Sequence, residues 1–169
     1  RSSALDSQVT LKHSDGTSAC YQAGDRVEGG SASSKAYAIP DELVLSRSLS
    51  LPTIAEADLE AALHLEISAC SPFSADDTAS GWRITRGADK RVLTVDLVIA
   101  SRTAVMGFLG EHFNLTDPNE PEVWAETGSH WVRLRGFGEE AREADYRRRI
   151  IRSGVLLTVC LGAREKDWL

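Results

Sequence analysis

The chain has no pair of cysteines at metal-binding or redox spacing: Cys20, Cys70 and Cys160 are its three, and they lie far apart. Three scattered thiols exclude a disulfide framework and a cysteine-based zinc site, and read as reduced, buried thiols in a reducing compartment. Neither GxxxxGK[ST] nor GxGxxG occurs, so both common phosphate-cradling loops are missing. The histidines His13, His64, His112 and His130 have no HxH or HxxxH spacing, and Ser46, Ser48 and Ser50 sit in no G-x-S-x-G elbow. No uninterrupted apolar run reaches the roughly 20 residues that cross a bilayer. The chain opens on Arg1 with no initiator Met and no basic-then-apolar leader, so it is expected to be a piece of a longer gene product.

What is present suits one ordinary domain with extensions. The 169 residues are 42% hydrophobic and 26% charged, enough apolar content to bury a core. A formal charge of −6 argues against a nucleic-acid surface as the main role.

Hydrophobic periodicity places the elements. Gln8–Lys12 and Ser18–Gln22 read as two strands around the turn Ser14-Asp15-Gly16-Thr17, and Gly24 to Ser34 as a Gly/Ser-rich loop or linker. A short strand at Tyr37–Ile39 is stopped by Pro40, and Leu43 to Leu49 alternates as a strand should. Thr53 and Glu56 make a T-x-x-E capping box, opening a helix that runs to Cys70 with Leu59, Leu63 and Ile67 on one stripe. Gly81–Arg86 and Arg91–Ile99 form a hairpin, and Ser101 caps a second helix through His112 that buries Val105, Phe108 and Leu109. Glu122–Glu126 and His130–Arg135 form another hairpin, and a third helix starts near Glu139. The expected class is α+β, with helices on one face of a mainly antiparallel sheet. Three segments are expected: residues 1–35 (hairpin and linker), 36–138 (the α+β domain) and 139–169 (a C-terminal helix).

Charge is split along the chain. Glu56, Asp58 and Glu60 load the first helix, Asp76 and Asp77 follow Pro72, and Arg147, Arg148, Arg149 and Arg152 precede the apolar run Gly154–Ala163. Arginines before an apolar run follow the positive-inside pattern, yet Arg164-Glu165-Lys166-Asp167 ends the run too early for a span. Two readings stay open: a truncated membrane anchor, or a helix whose second half is core. Trp82, Trp124, Trp131 and Phe137 cluster in the hairpins, where core packing and an exposed docking pair are the alternatives.

From Pro40 to about Leu109 the order of features resembles a known family. The residues are Leu49-Ser50-Leu51-Pro52-Thr53-Ile54-Ala55-Glu56-Ala57-Asp58-Leu59, then His64-Leu65-Glu66-Ile67, then Ser71-Pro72-Phe73-Ser74-Ala75-Asp76-Asp77, then the Val-rich strand Leu93–Ala100 with Ser101-Arg102 opening a helix. They are similar to the cytoplasmic region of GspL-type proteins of type II secretion and their PilN/PilM-type relatives in type IV pilus assembly. The resemblance implies an actin-like (RNase H-like) cytoplasmic domain with no catalytic site and no cofactor, at the cytoplasmic face of a bacterial inner membrane. It implies a scaffold that docks the assembly ATPase and pairs with other inner-membrane platform proteins or with a second copy. On that reading Glu56, Asp58, Glu60, Asp76 and Asp77 form the partner-binding surface, and Arg147, Arg148, Arg149 and Arg152 meet anionic lipid. The competing reading is a small soluble α+β ligand-binding domain or enzyme whose site residues are distant in sequence.

Overall fold

Period-two apolar runs separated by Gly- and Asp-containing turns become strands here, as alternation across a pleated ribbon requires. The computed structural model describes residues 8–30, 32, 34–128, 130–139, 142–144, 147, 148, 151 and 152. In chain order these form β1 (Val9–Lys12), β2 (Ser18–Gln22), β3 (Asp25–Val27), β4 (Ser34–Ile39), β5 (Val44–Pro52), α1 (Glu56–Cys70), β6 (Thr78–Arg86), β7 (Val92–Ser101), α2 (Arg102–Phe113), β8 (Glu122–Thr127) and β9 (His130–Leu134). Residues 139, 142–144, 147, 148, 151 and 152 are helical.

The class is α+β with mostly antiparallel pairing, but one sheet becomes two. The larger has the order β3-β2-β1-β4-β8-β9, and the smaller β5-β7-β6. In the larger, β2 is antiparallel to both β1 and β3, β4 is parallel to β1, β8 is parallel to β4, and β9 returns antiparallel. The smaller sheet is antiparallel throughout. The Gly/Ser-rich stretch expected as a loop carries β3, and β1 to β3 share a sheet with β4 and β8.

The physical reason for two layers lies in β7, which is apolar along one face and, from Val98 on, apolar on the other as well. Leu93, Val95, Leu97 and Ile99 meet Leu59, Leu63 and Ile67 of α1. Val98 and Ala100 join Val105 and Leu109 of α2 against Val123, Ala125, Val132 and Leu134 of the larger sheet. The helices therefore lie on different faces of β7, not together on one.

The sheets touch where β6 crosses β9. A Cβ at Gly81 would lie 2.0 Å from the Arg133 carbonyl oxygen, so only glycine lets the strands come this close. The Arg135 N–H donates to the Ser80 carbonyl across the crossing at 2.8 Å.

Helix ends follow the chemistry only in part. Ser101 caps α2 by accepting from the Ala104 N–H at 3.1 Å. At the other end Asn114 takes the left-handed conformation, with φ 57°, and its N–H donates to Gly110 and Leu109. The capping box expected at Thr53 is not formed: α1 is capped by Ala55 with no side-chain bond. Strand β5 runs on through Pro52, paired with Val92, so Thr53 stays beside the β6–β7 turn. Its hydroxyl donates to the Lys90 carbonyl at 2.6 Å and its N–H to Arg91 at 2.9 Å.

Candidate functional site

The acidic residues singled out in the sequence divide into two groups. Glu56, Asp58 and Asp76 are exposed, and no salt bridge involves them among the described residues. Glu60 is tied to the body of the protein, 3.0 Å from Arg135 and 3.8 Å from His64. Asp77 faces the start of α2, accepting from the Ser101 hydroxyl at 2.6 Å and from the Thr103 N–H and hydroxyl at 2.8 and 2.7 Å. These bonds, the Ser101 one foremost, hold its carboxyl below the ordinary range, and burial opposes them weakly. Arg147, Arg148 and Arg152 are exposed on helical backbone, whereas Arg149 and the apolar run 154–163 lie outside the described residues. No helix among the described residues is long and apolar enough to cross a membrane. Cys20 and Cys70 are free thiols, and Cys160 lies outside the described residues.

The turn Asp15-Gly16-Thr17 closes the β1–β2 hairpin. One Asp15 carboxylate oxygen takes both the Thr17 N–H at 2.8 Å and the Thr17 hydroxyl at 2.6 Å, while Gly16 supplies the positive φ of 87°. Those bonds lower the Asp15 pKa.

A second cluster was not foreseen. Strand alternation puts Glu122 and Trp124 of β8 beside Trp131 and Arg133 of β9, with Trp124 directly opposite Arg133. Tyr21 of β2 packs edge-on against both indoles, at 5.7 and 6.1 Å between ring centres. Trp82 and Arg83 come from the other sheet just past the Gly81 crossing, and Arg142 comes from the helical segment. Together they line a cleft of about 270 Å³. The Trp124/Trp131 pair is therefore a cleft wall, with Trp124 buried and Trp131 half-buried.

Charge inside this cleft is unusual for so buried a place. The side chains of Glu122 and Arg142 are only 3% and 9% exposed, and lie 3.3 Å apart as an ion pair. The other Glu122 oxygen accepts from the Trp124 indole N–H at 2.9 Å. Burial raises the Glu122 pKa, opposed chiefly by Arg142. Burial likewise lowers that of Arg142, opposed by Glu122, with the neighbouring Arg133 adding to the fall. Arg133 spends Nη2 on Glu143 at 3.0 Å. Its Nη1, together with Nε and Nη1 of Arg142, is buried with no hydrogen-bond partner among the described residues. A buried donor left unsatisfied costs about 1–3 kcal/mol, more when charged. At the rim, Arg135 lies over the Trp82 ring at 3.6 Å.

Sequence reasoning missed this cluster because Glu122, Arg133 and Arg142 follow no local spacing: the β8–β9 pairing brings the first two together, and Arg142 joins them from the helical segment. The available signal was charge at the alternating positions of strands otherwise apolar. Among the described residues no group of three or more His, Cys, Asp or Glu is placed to hold a metal ion. Compared with protein-family models, curated proteins and solved structures, the chain matches none.

Proposed function

We propose that this chain is a non-catalytic scaffold of a bacterial type II secretion or type IV pilus assembly platform, docking the assembly ATPase at the cytoplasmic face of the inner membrane. The observation that carries the reading is the order β3-β2-β1-β4-β8, antiparallel through β1 and then parallel through β4 and β8. That order supports reading the larger sheet as the actin-like (RNase H-like) layer that the resemblance between Pro40 and Leu109 implies. In such a layer the turn after the first strand would hold phosphate. Here Asp15 spends its oxygen on Thr17, which supports a scaffold over a nucleotide enzyme.

The smaller sheet and α1 supply the docking face. Leu59, Leu63 and Ile67 are committed to the core, so the outer side of α1 presents Glu56 and Asp58 to a partner. Exposed carboxylates of this kind steer a basic face and set its register more than they add affinity. Arg147, Arg148 and Arg152 would meet anionic lipid, each worth about 1 kcal/mol near the surface.

The test is capture of the cognate ATPase by the full chain and by Glu56→Lys/Asp58→Lys. Glu60 is left alone because it pairs with Arg135. We expect the Lys variant to lose most ATPase capture while its sedimentation with anionic vesicles is unchanged. Replacing Arg147, Arg148 and Arg152 with Gln should do the reverse. Undiminished ATPase capture by the Lys variant would sink the docking face.

A further inference from the structure

We propose that the cleft between Trp82, Trp124 and Trp131 is a binding site for a small aromatic carboxylate, whose acid group is held by Arg133 and Arg142. The site is built from both sheets and the helical segment, and it is independent of the docking reading.

Donor accounting carries the argument. Arg142 is nine-tenths buried and lies 3.3 Å from Glu122 through Nε as an ion pair, yet neither its Nε nor its Nη1 has a hydrogen-bond partner among the described residues. Arg133 gives Nη2 to Glu143 and keeps Nη1 likewise unpaired. Both residues line the same cleft. Native folds satisfy nearly all buried donors, so three guanidinium nitrogens in one cleft without a hydrogen bond among the described residues call for an acceptor from outside. Glu122 does not serve: one of its oxygens is taken by Trp124 and the other already faces Arg142. A planar carboxylate presents two oxygens to such a pair of forks.

Size and walls choose the rest of the ligand. About 270 Å³ falls just below the usual range of roughly 300–1,000 Å³ for small-molecule sites, which suits one ring and its acid group and is too small for a nucleotide. The walls are flat and unsaturated: Trp124 and Trp131 lie 6.4 Å apart between ring centres, and Tyr21 closes one side. Arg83, which also lines the cleft, makes no salt bridge among the described residues and adds positive charge to it.

The experiment is isothermal titration of the full chain with indole-3-carboxylate, its neutral counterpart indole-3-methanol, and inorganic phosphate. We expect the carboxylate to bind at least tenfold more tightly than either comparison probe. Glu122→Gln/Arg142→Gln exchanges the buried ion pair for a neutral, hydrogen-bonding pair and should abolish that preference. Arg133→Gln, at a less buried position, should reduce it severalfold and serves if the double variant fails to fold. Equal binding of acid and alcohol, tighter binding of phosphate, or no heat with any probe at millimolar concentration would each overturn the proposal. So would an undiminished preference in the Arg133→Gln chain.

Discussion

Replacing Gly81 with Ala tests the crossing on which the fold and the cleft both depend. The added methyl would sit 2.0 Å from the Arg133 carbonyl oxygen and 2.9 Å from its carbon, both backbone atoms that cannot swing aside. Relief therefore requires β6 and β9 to separate by more than an ångström. Overpacking of this kind typically costs about 1–3 kcal/mol. Separation also stretches the Arg135-to-Ser80 backbone bond, worth about 1 kcal/mol net. The expected loss is about 2–4 kcal/mol, or roughly 5–15 °C in melting temperature for a chain of this size.

Gly87 provides the control. It lies in the β6–β7 turn, and a Cβ there meets nothing within 4 Å. Gly87→Ala should be neutral, or stabilising by up to about 1 kcal/mol through the unfolded state. Urea unfolding of both variants separates a general intolerance of alanine from a specific clash. A Gly81→Ala protein within about 0.5 kcal/mol of wild type would refute the crossing.

Other outcomes follow from single contacts. Leu63 is fully buried between α1 and β7, so Leu63→Ala should lose about 2–5 kcal/mol in chemical denaturation. Asp77 has a lowered pKa in the folded state, so its stabilising contribution is present above the ordinary Asp value of about 3.9 and is lost as pH falls through the folded value. The stability gap between wild type and Asp77→Asn should close on acidification, which thermal melts across that range will read. Asn114 caps α2 at φ 57°; Val there should cost about 1–2 kcal/mol by thermal unfolding, and Gly should cost nothing.

Local signals were legible where one residue decides the outcome. The alternation of Leu93, Val95, Leu97 and Ile99 named a strand, and Ser101 named the start of α2. Leu59, Leu63 and Ile67 named the buried stripe of α1. Each rests on periodicity or on a side chain bonding within a few residues. Thr53 misled because its hydroxyl has two suitable uses, and the long-range one to Lys90 won over the local cap. The two-sheet arrangement was hidden because Val98 and Ala100, alternating with the first face of β7, look like the tail of a strand. Their burial becomes visible only once α2 and the larger sheet are in place. The cleft was hidden for the same reason: Glu122, Arg133 and Arg142 are unremarkable in sequence and become chemistry only when strand pairing and the helical segment bring them together.

Besides the edge-on contact of the His64 ring with Trp82 at 5.6 Å, the acidic helix and the basic cleft are joined by an ion pair through Arg135, which makes a last test of how far the two surfaces are separate. Glu60 of α1 pairs with Arg135 at 3.0 Å, and the Arg135 guanidinium lies over Trp82, which lines the cleft. Both members of the ion pair are about half exposed, so the pair itself is worth at most about 1 kcal/mol. The cation–π contact adds a further ~0.5–1 kcal/mol. Glu60→Gln should therefore cost less than about 1 kcal/mol, because Arg135 keeps its place over the ring. Arg135→Ala should cost about 1–2 kcal/mol and should also shift the tryptophan emission, since the indole loses its positive neighbour. If Arg135 is the link, the two effects overlap in the double variant instead of adding. Strict additivity, or an equal emission shift in Glu60→Gln, would mean that α1 and the cleft sense each other through some other contact.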